Sequence, residues 1–224
     1  MNRLGVAVFV ISEGISVVTT TWNERENIET LVLAVRNVLC GIPHEVIVVD
    51  DSSSDGTLEA AKRVADMAVS KKREGQTVGL LFGMRLAKYP VVVTIDADLE
   101  NDSSCILELV RLTADYDVVV ASRTKLPRFS EKLASNTLGR IVGVYDSFSN
   151  YRAYQKEIIP KLSVKHGETF GAEMLVVAKK QGLKIGEMHY APPPRRKCPR
   201  IGGSIRANLR IFWASMKATT IYFF

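Results

Sequence analysis

Two carboxylates one residue apart, Asp96 and Asp98, close the run Val91-Val92-Val93-Thr94-Ile95. In an extended segment residues i and i+2 share a face, so both can aim at one cation. Hard carboxylate oxygens suit Mg²⁺ or Mn²⁺, and Mg²⁺ commonly takes one or two protein carboxylates and completes its shell with water and substrate phosphates. Such a pair would handle a diphosphate leaving group. Alone, Asp-x-Asp reads more readily as a solvated strand exit turning toward a helix near Ser103, so its neighbours carry the weight.

Those neighbours are polar clusters at the ends of short β-branched runs. Thr21-Trp22-Asn23-Glu24 follows the run Ile15 to Thr21, and Asp50 through Thr57 follows Glu45 to Asp50. Asn23, Asp55 and Thr57 can serve as helix caps or turn residues. Capping does not account for Asp50 and Asp51 both ending an apolar strand, where unpaired carboxylates are costly. Further strands are expected at Val91 to Ile95, Asp117 to Ala121 and Lys184 to Tyr190. Helices are expected at Glu26 to Leu39, Leu58 to Met67, Val78 to Ala87, Cys105 to Thr113 and Phe170 to Gln181, with a loop and basic helix between Arg123 and Val142. Apolar strands alternating with helices predict a mostly parallel sheet covered on both faces, with ligands beyond the carboxyl ends of its strands.

Length and composition allow one large domain: 224 residues, 46% hydrophobic, with a net charge of +6. The charge points to anionic partners. Arg195, Arg196, Lys197, Arg200, Arg206 and Arg210 crowd the C-terminal region, and the aromatic-interleaved basic surface of a single-strand binder is missing, which argues against nucleic acid. Cys40, Cys105 and Cys198 are odd in number and far apart, as expected of a reducing cytoplasmic compartment. The three histidines show no zinc spacing, and no nucleophilic triad stands out. Leu4 to Ile11 reads as a short extension without a cleavage site, and no stretch of eighteen apolar residues predicts a membrane span. Near the C-terminus, Ile205, Leu209, Phe212, Trp213 and Met216 form an amphipathic stripe flanked by Arg206, Arg210 and Lys217. It can face the core or lie on an anionic membrane surface.

With these clusters in order, the chain resembles the family-2 glycosyltransferases, most closely their dolichol-phosphate mannosyltransferase branch. The matching motifs are Thr20-Thr21-Trp22-Asn23-Glu24, Val49 through Thr57, Asp96-Ala97-Asp98-Leu99, Ser122-Arg123, Asp146-x-x-Ser149-x-x-Arg152-Ala153-Tyr154 and Phe170-x-x-Glu173-Met174. The resemblance implies an α/β GT-A fold over residues 1–202, its twisted sheet mostly parallel with helices on both faces, and a C-terminal amphipathic, candidate membrane-associated helix over 203–224. It implies that Thr20, Trp22, Glu24, Val49, Asp51 and Ala97 line the nucleotide pocket, and that Asp96 and Asp98 hold Mg²⁺ or Mn²⁺ on the diphosphate. Arg200 and Arg206 would clamp that diphosphate, although the family's basic segment aligns here only to within a residue. Trp22 stands where the family has tyrosine, Thr20 where it has proline and Glu100 where it often has glutamine.

The implied acceptor is a polyprenyl or dolichyl phosphate held by Arg123, Ser135 and Lys132 or Arg128, since Glu131 occupies the place of the family's second arginine. The implied reaction moves a hexose, with mannose from GDP-mannose the first expectation, from a nucleoside diphosphate sugar at the cytoplasmic membrane face. Arg123 joins Asp96 and Asp98 as a catalytic group, and small membrane subunits are candidate partners. Alternatives are another donor or acceptor, with Asp146 as base toward a sugar hydroxyl, or a nucleotide-binding subunit without transfer activity.

Overall fold

The computed structural model describes residues 12–165, 168–193 and 204–223, built around a seven-stranded sheet of order β3-β2-β1-β4-β6-β5-β7. Its strands are β1 (Ile15–Thr21), β2 (His44–Asp50), β3 (Met67–Ser70), β4 (Val91–Thr94), β5 (Val118–Arg123), β6 (Arg152–Gln155) and β7 (Ile185–Tyr190). Only β6 runs antiparallel to its neighbours, β4 and β5. The helices are α1 (Arg25–Val38), α2 (Thr57–Val64), α3 (Gln76–Leu86), α4 (Ile106–Leu112), α5 (Phe129–Ala134), α6 (Arg140–Val142), α7 (Ala172–Lys180) and α8 (Ser204–Phe223).

The strands read as nearly unbroken apolar runs because both faces of the sheet are covered. Ile15, Val17, Val46, Val48, Val91 and Val93 bury against Ile28, Leu31, Val32 and Val35 of α1. The alternate residues Val18, Ile47, Val49 and Val92 bury on the other face with Leu80, Leu81 and Met84 of α3. α3 comes unusually close because Gly79 and Gly83 carry no Cβ. One added at Gly79 would sit 2.8 Å from the Thr20 side chain, and one at Gly83 would sit 2.5 Å from Val18.

Several elements differ from the sequence expectation. α2 stops at Val64 and Met67 opens β3, an edge strand that periodicity did not reveal. Asp66 causes the break: its backbone N–H donates to the Val46 carbonyl, and its carboxylate accepts from Val46 N–H (2.8 Å) and Arg36 (3.0 Å), so the chain joins the sheet edge. β5 runs two residues beyond Ala121 to Arg123, and β6, a four-residue strand beginning with an arginine, was not assigned from sequence. Between Arg123 and Val142 the basic segment forms α5 and α6 joined by a π turn, Ser135–Gly139.

In α8 the apolar stripe faces outward. Ile205 is 77% exposed and Trp213 60%, with Leu209, Phe212 and Met216 also exposed, whereas Ile211, Ala214 and Ala218 are buried. The inward contacts go to α5 and α7: Asn208 accepts from Ser130 N–H (3.1 Å), and Lys180 donates to the Ile221 carbonyl (2.8 Å). Among the described residues no helix is long and apolar enough to cross a membrane.

Candidate active site

The parallel strands β1, β2, β4 and β5 present their carboxyl ends along one edge of the sheet. Because β6 runs the other way, the residues that precede it, 146–151, reach the same edge. Reversal of one strand thus carries Asp146, Ser149 and Asn150 to Asp96 and Arg123. The cleft formed there measures about 360 Å³, and its walls include Gln76, Asp96, Asp98, Arg123, Arg128 and Glu131. The non-glycine residues with left-handed backbone among those described are Asn23 (φ 56°), Ser52 (φ 61°), Leu99 (φ 62°) and Phe170 (φ 51°). Asn23 and Ser52 lie in the loops just beyond β1 and β2, Leu99 lies in the loop beyond β4, and Phe170 lines the cleft, as expected where strain is kept at a functional edge.

At the β1 and β2 ends, Trp22 lies 38% exposed with the Arg73 guanidinium 3.5 Å from its ring centroid. Asp51 sets up that contact. One carboxylate oxygen accepts from Lys71 Nζ (2.7 Å) and Glu74 N–H (3.1 Å), and the other accepts from Gly75 N–H (3.1 Å). The segment 71–75 is thereby folded over the strand ends, and Arg73 lands on the indole, an arrangement favourable through cation–π attraction. Glu24 is buried, accepts from Asn27 (2.6 Å) and donates its N–H to Thr57 (2.9 Å), which ties the starts of α1 and α2 together. Thr20 packs against Gly79, while Val49 is fully buried against Gly83 and offers its side chain to the core, not the cleft.

At the β4 end, one Asp96 oxygen accepts a short hydrogen bond from the Gln76 amide and the other accepts from Asn101 (3.3 Å). Burial, and then the charge of Asp98, push the Asp96 carboxyl up to about 7. A carboxylate so disfavoured gains from any cation it can share with Asp98. Asp98 is exposed, accepts from Glu100 N–H (3.0 Å) and is free to turn toward such a cation. Ala97 between them is buried. Among the described residues no cluster of three or more His, Cys, Asp or Glu forms a closed metal cage. Two carboxylates with an open side suit a Mg²⁺- or Mn²⁺-bound diphosphate.

At the β5 end, Arg123 is held from both sides. Its Nε donates to Asp146 (2.6 Å), and Nη2 donates to the other Asp146 oxygen (3.2 Å) and to Glu131 (3.4 Å). Burial alone would favour neutral arginine, but the charges of Asp146 and Glu131 hold it protonated. Lys132 is exposed on α5 and Ser135 begins the π turn, and neither lines the cleft. Arg200 lies outside the described residues, and of Arg206 only the backbone, in the first turn of α8, is described.

Sequence reading missed Gln76, Asn101, Arg73 and Glu168. Glu168 pins the start of α3 to the loop before α7: it accepts from Thr77 N–H (3.1 Å), Thr77 hydroxyl (2.5 Å) and Phe170 N–H (2.6 Å). A helix starting at Gln76, two residues before the predicted Val78, was the signal that could have exposed Gln76 and Thr77.

Arg152 shows what the Asp146-to-Tyr154 motif does physically. Its fully buried guanidinium donates to the carbonyls of Ser149 (2.6 Å), Gly171 (2.8 Å) and Ser147 (3.1 Å), which joins the acceptor-side loop to the start of α7. Arg152→Met orphans these carbonyls at roughly 1–3 kcal/mol each. Thermal unfolding should show a melting temperature lower by about 10 °C, with both loops loosened.

A mostly parallel sheet with acidic strand ends meeting at one cleft is an architecture that places ligands beyond the carboxyl ends of its strands. The family model for glycosyl transferase family 2 matches residues 16–175, and the chain belongs to that family. The chain is 31% identical over 165 residues to a dolichol-phosphate mannosyltransferase of Pyrococcus furiosus, which covers 65% of this chain and 47% of the relative. To an undecaprenyl-phosphate 4-deoxy-4-formamido-L-arabinose transferase of Pectobacterium carotovorum it is 32% identical over 197 residues, covering 79% of this chain and 60% of the relative. The chain thus spans about half to three fifths of these relatives' length. Among solved structures, glucosyl-3-phosphoglycerate synthase of Mycobacterium tuberculosis in complex with phosphoglyceric acid superposes with a TM-score of 0.78 at 20% identity, covering 97% of this chain and 84% of that one. Its complex with Mn²⁺, uridine diphosphate and glucosyl-3-phosphoglycerate gives 0.77 at 21%, covering 96% and 83%. These likenesses establish the GT-A fold.

Proposed function

We propose that this chain is the transfer domain of an inverting glycosyltransferase that moves a hexose from a nucleoside diphosphate sugar to a polyprenyl phosphate, with GDP-mannose and a dolichyl-type phosphate as the expected pair. The observation that carries this reading is the meeting of the Asp96 and Asp98 carboxylates with Arg123 in one cleft. Two relatives are named for dolichol-phosphate and undecaprenyl-phosphate transfer, which supports the acceptor class. The solved relative bound to Mn²⁺ and uridine diphosphate supports a divalent cation at Asp96 and Asp98.

A bound cation would supply charge stabilisation on the departing diphosphate. The chain's own groups do the rest. Trp22 and Arg73 offer a stacking platform to the base, Gln76 and Asn101 fix Asp96, and Arg123 aligns the acceptor. A phosphate acceptor is already ionised near neutrality and needs alignment more than a general base. The geometry agrees, since Asp146 is buried and paired bidentately with Arg123 and is a poor candidate for a free base. Incubation of the protein and Mn²⁺ with labelled nucleotide sugars and short polyprenyl phosphates, followed by lipid extraction, tests the reading. Label should enter the lipid phase from one donor, and its absence with every donor refutes the proposal.

The same reading places residues 203–224 on the cytoplasmic membrane face, through the outward stripe of α8 with exposed Phe129 and Leu133 beside it. Burial of such a face in the interface is driven by apolar area at roughly 25 cal/mol per Å². Replacement of Phe212 and Trp213 by serine should weaken binding to anionic phospholipid vesicles by at least about tenfold. Vesicle sedimentation measures this, and unchanged sedimentation counts against the membrane contact.

A further inference from the structure

The acceptor end of the cleft already holds an anion. Glu131 is 4% exposed, and one of its oxygens accepts from two guanidinium groups, Arg123 Nη2 at 3.4 Å and Arg128 Nη1 at 3.2 Å. Arg128 and Glu131 both line the cleft alongside Arg123. A single carboxylate oxygen lying between two guanidinium groups is placed as an oxygen of a bound phosphate would be placed. Asp146 neutralises Arg123 independently, so with Arg128 the four groups sum to zero charge while Glu131 stays in place. A phosphate entering beside Glu131 would meet its repulsion, with Lys125 the remaining cation on the described lining to offset it.

We infer that Glu131 is an internal stand-in for the acceptor's phosphate, and that the acceptor binds by displacing it from Arg123 and Arg128. The inference rests on the phosphate-acceptor reading above and assigns Arg128 as a second acceptor-binding residue, with Glu131 setting acceptor affinity. The two acids differ in how they are held. Asp146 makes the short bidentate pair with Arg123, and its backbone N–H donates to the Ser122 hydroxyl oxygen (3.1 Å) within the sheet edge. Glu131 sits on the six-residue α5 at longer distances. Apart from the guanidinium groups, Glu131 accepts from Arg128 N–H (3.1 Å), an N-terminal capping contact. Glu131 is therefore the anion that can leave. Because α5 is tied to α8 through Ser130 and Asn208, a shift of α8 offers α5 a route to move.

Glu131→Gln isolates the charge, since glutamine accepts the same capping bond from Arg128 N–H. Calorimetric titration with farnesyl phosphate should show at least about tenfold tighter binding to Glu131→Gln than to the unaltered protein, and uncharged farnesol should not discriminate. Adding Arg128→Gln should erase the gain. Equal or weaker binding of farnesyl phosphate to a folded Glu131→Gln protein overturns the inference, as does a gain that survives Arg128→Gln or that farnesol shares. A gain in affinity without sugar transfer to farnesyl phosphate in either protein would sink the transfer reading alone. Transfer with no change in affinity would sink the displacement alone.

Discussion

Asp96→Asn should abolish divalent-dependent nucleotide binding and at the same time give a metal-free protein that melts at a higher temperature above pH 7. Both effects follow from one carboxyl. In the folded chain burial and Asp98 push Asp96 up to about 7, whereas the unfolded value is near 3.8. Between those values the folded state binds more protons than the unfolded state, so stability falls as pH rises from about 4 to about 7 and stays reduced above. Asparagine retains an oxygen for the Gln76 amide and carries no charge, so this penalty disappears. After allowance for its partial exposure the gain is on the order of 2 kcal/mol at pH 8, and it vanishes by pH 4. Thermal melts in chelator across that range measure it. In the same variant the diphosphate loses one of two carboxylates that anchor its cation, and transfer should fall by at least about a thousandfold. A variant less heat-stable than the parent at pH 8, or one that still binds nucleotide more tightly with Mn²⁺, contradicts the assignment.

What sequence could reveal here was set by how local each signal is. Strand ends and their acids are local, so Asp51, Asp96 and Asp98 were readable from runs such as Val91 to Ile95 followed by polar residues, whereas Arg123 came from the family resemblance. Partners contributed by distant segments were not. Gln76 reaches Asp96 across twenty residues, Arg73 reaches Trp22 only because Asp51 folds the intervening loop, and Glu168 reaches Thr77 across ninety-one. The short strands β3 and β6 escaped notice because four residues hold too little periodicity, and because β6 fills its positions with Arg152 and Tyr154. The stripe on α8 was legible as amphipathic, but its direction was not. The helix buries a second set, Ile211, Ala214 and Ala218, and the two alanines let it lie close to its neighbours α5 and α7.

Arg123→Ala should reduce transfer to a polyprenyl phosphate by at least about a thousandfold, and Asp146→Asn by only about tenfold. Alanine removes the guanidinium that would face the acceptor. Asparagine leaves Arg123 in place, retains one oxygen for its Nε and turns an amide toward Nη2, so the arginine is tilted but not lost. Stability separates this from simple unfolding. Arg123→Ala strands the buried carboxylate of Asp146, leaves Glu131 with Arg128 alone, and should cost roughly 3–5 kcal/mol. Combining it with Asp146→Asn removes one stranded charge and should recover part of that loss without recovering transfer, a non-additive pattern expected of groups in direct contact. Melting curves and single-turnover rates on the two single variants and the double variant measure both quantities. The opposite order, with Asp146→Asn the more damaging to rate, would mean that Asp146 takes a proton from a hydroxyl acceptor. Arg123 would then serve to hold the base, and the polyprenyl phosphate would have to be abandoned as the acceptor.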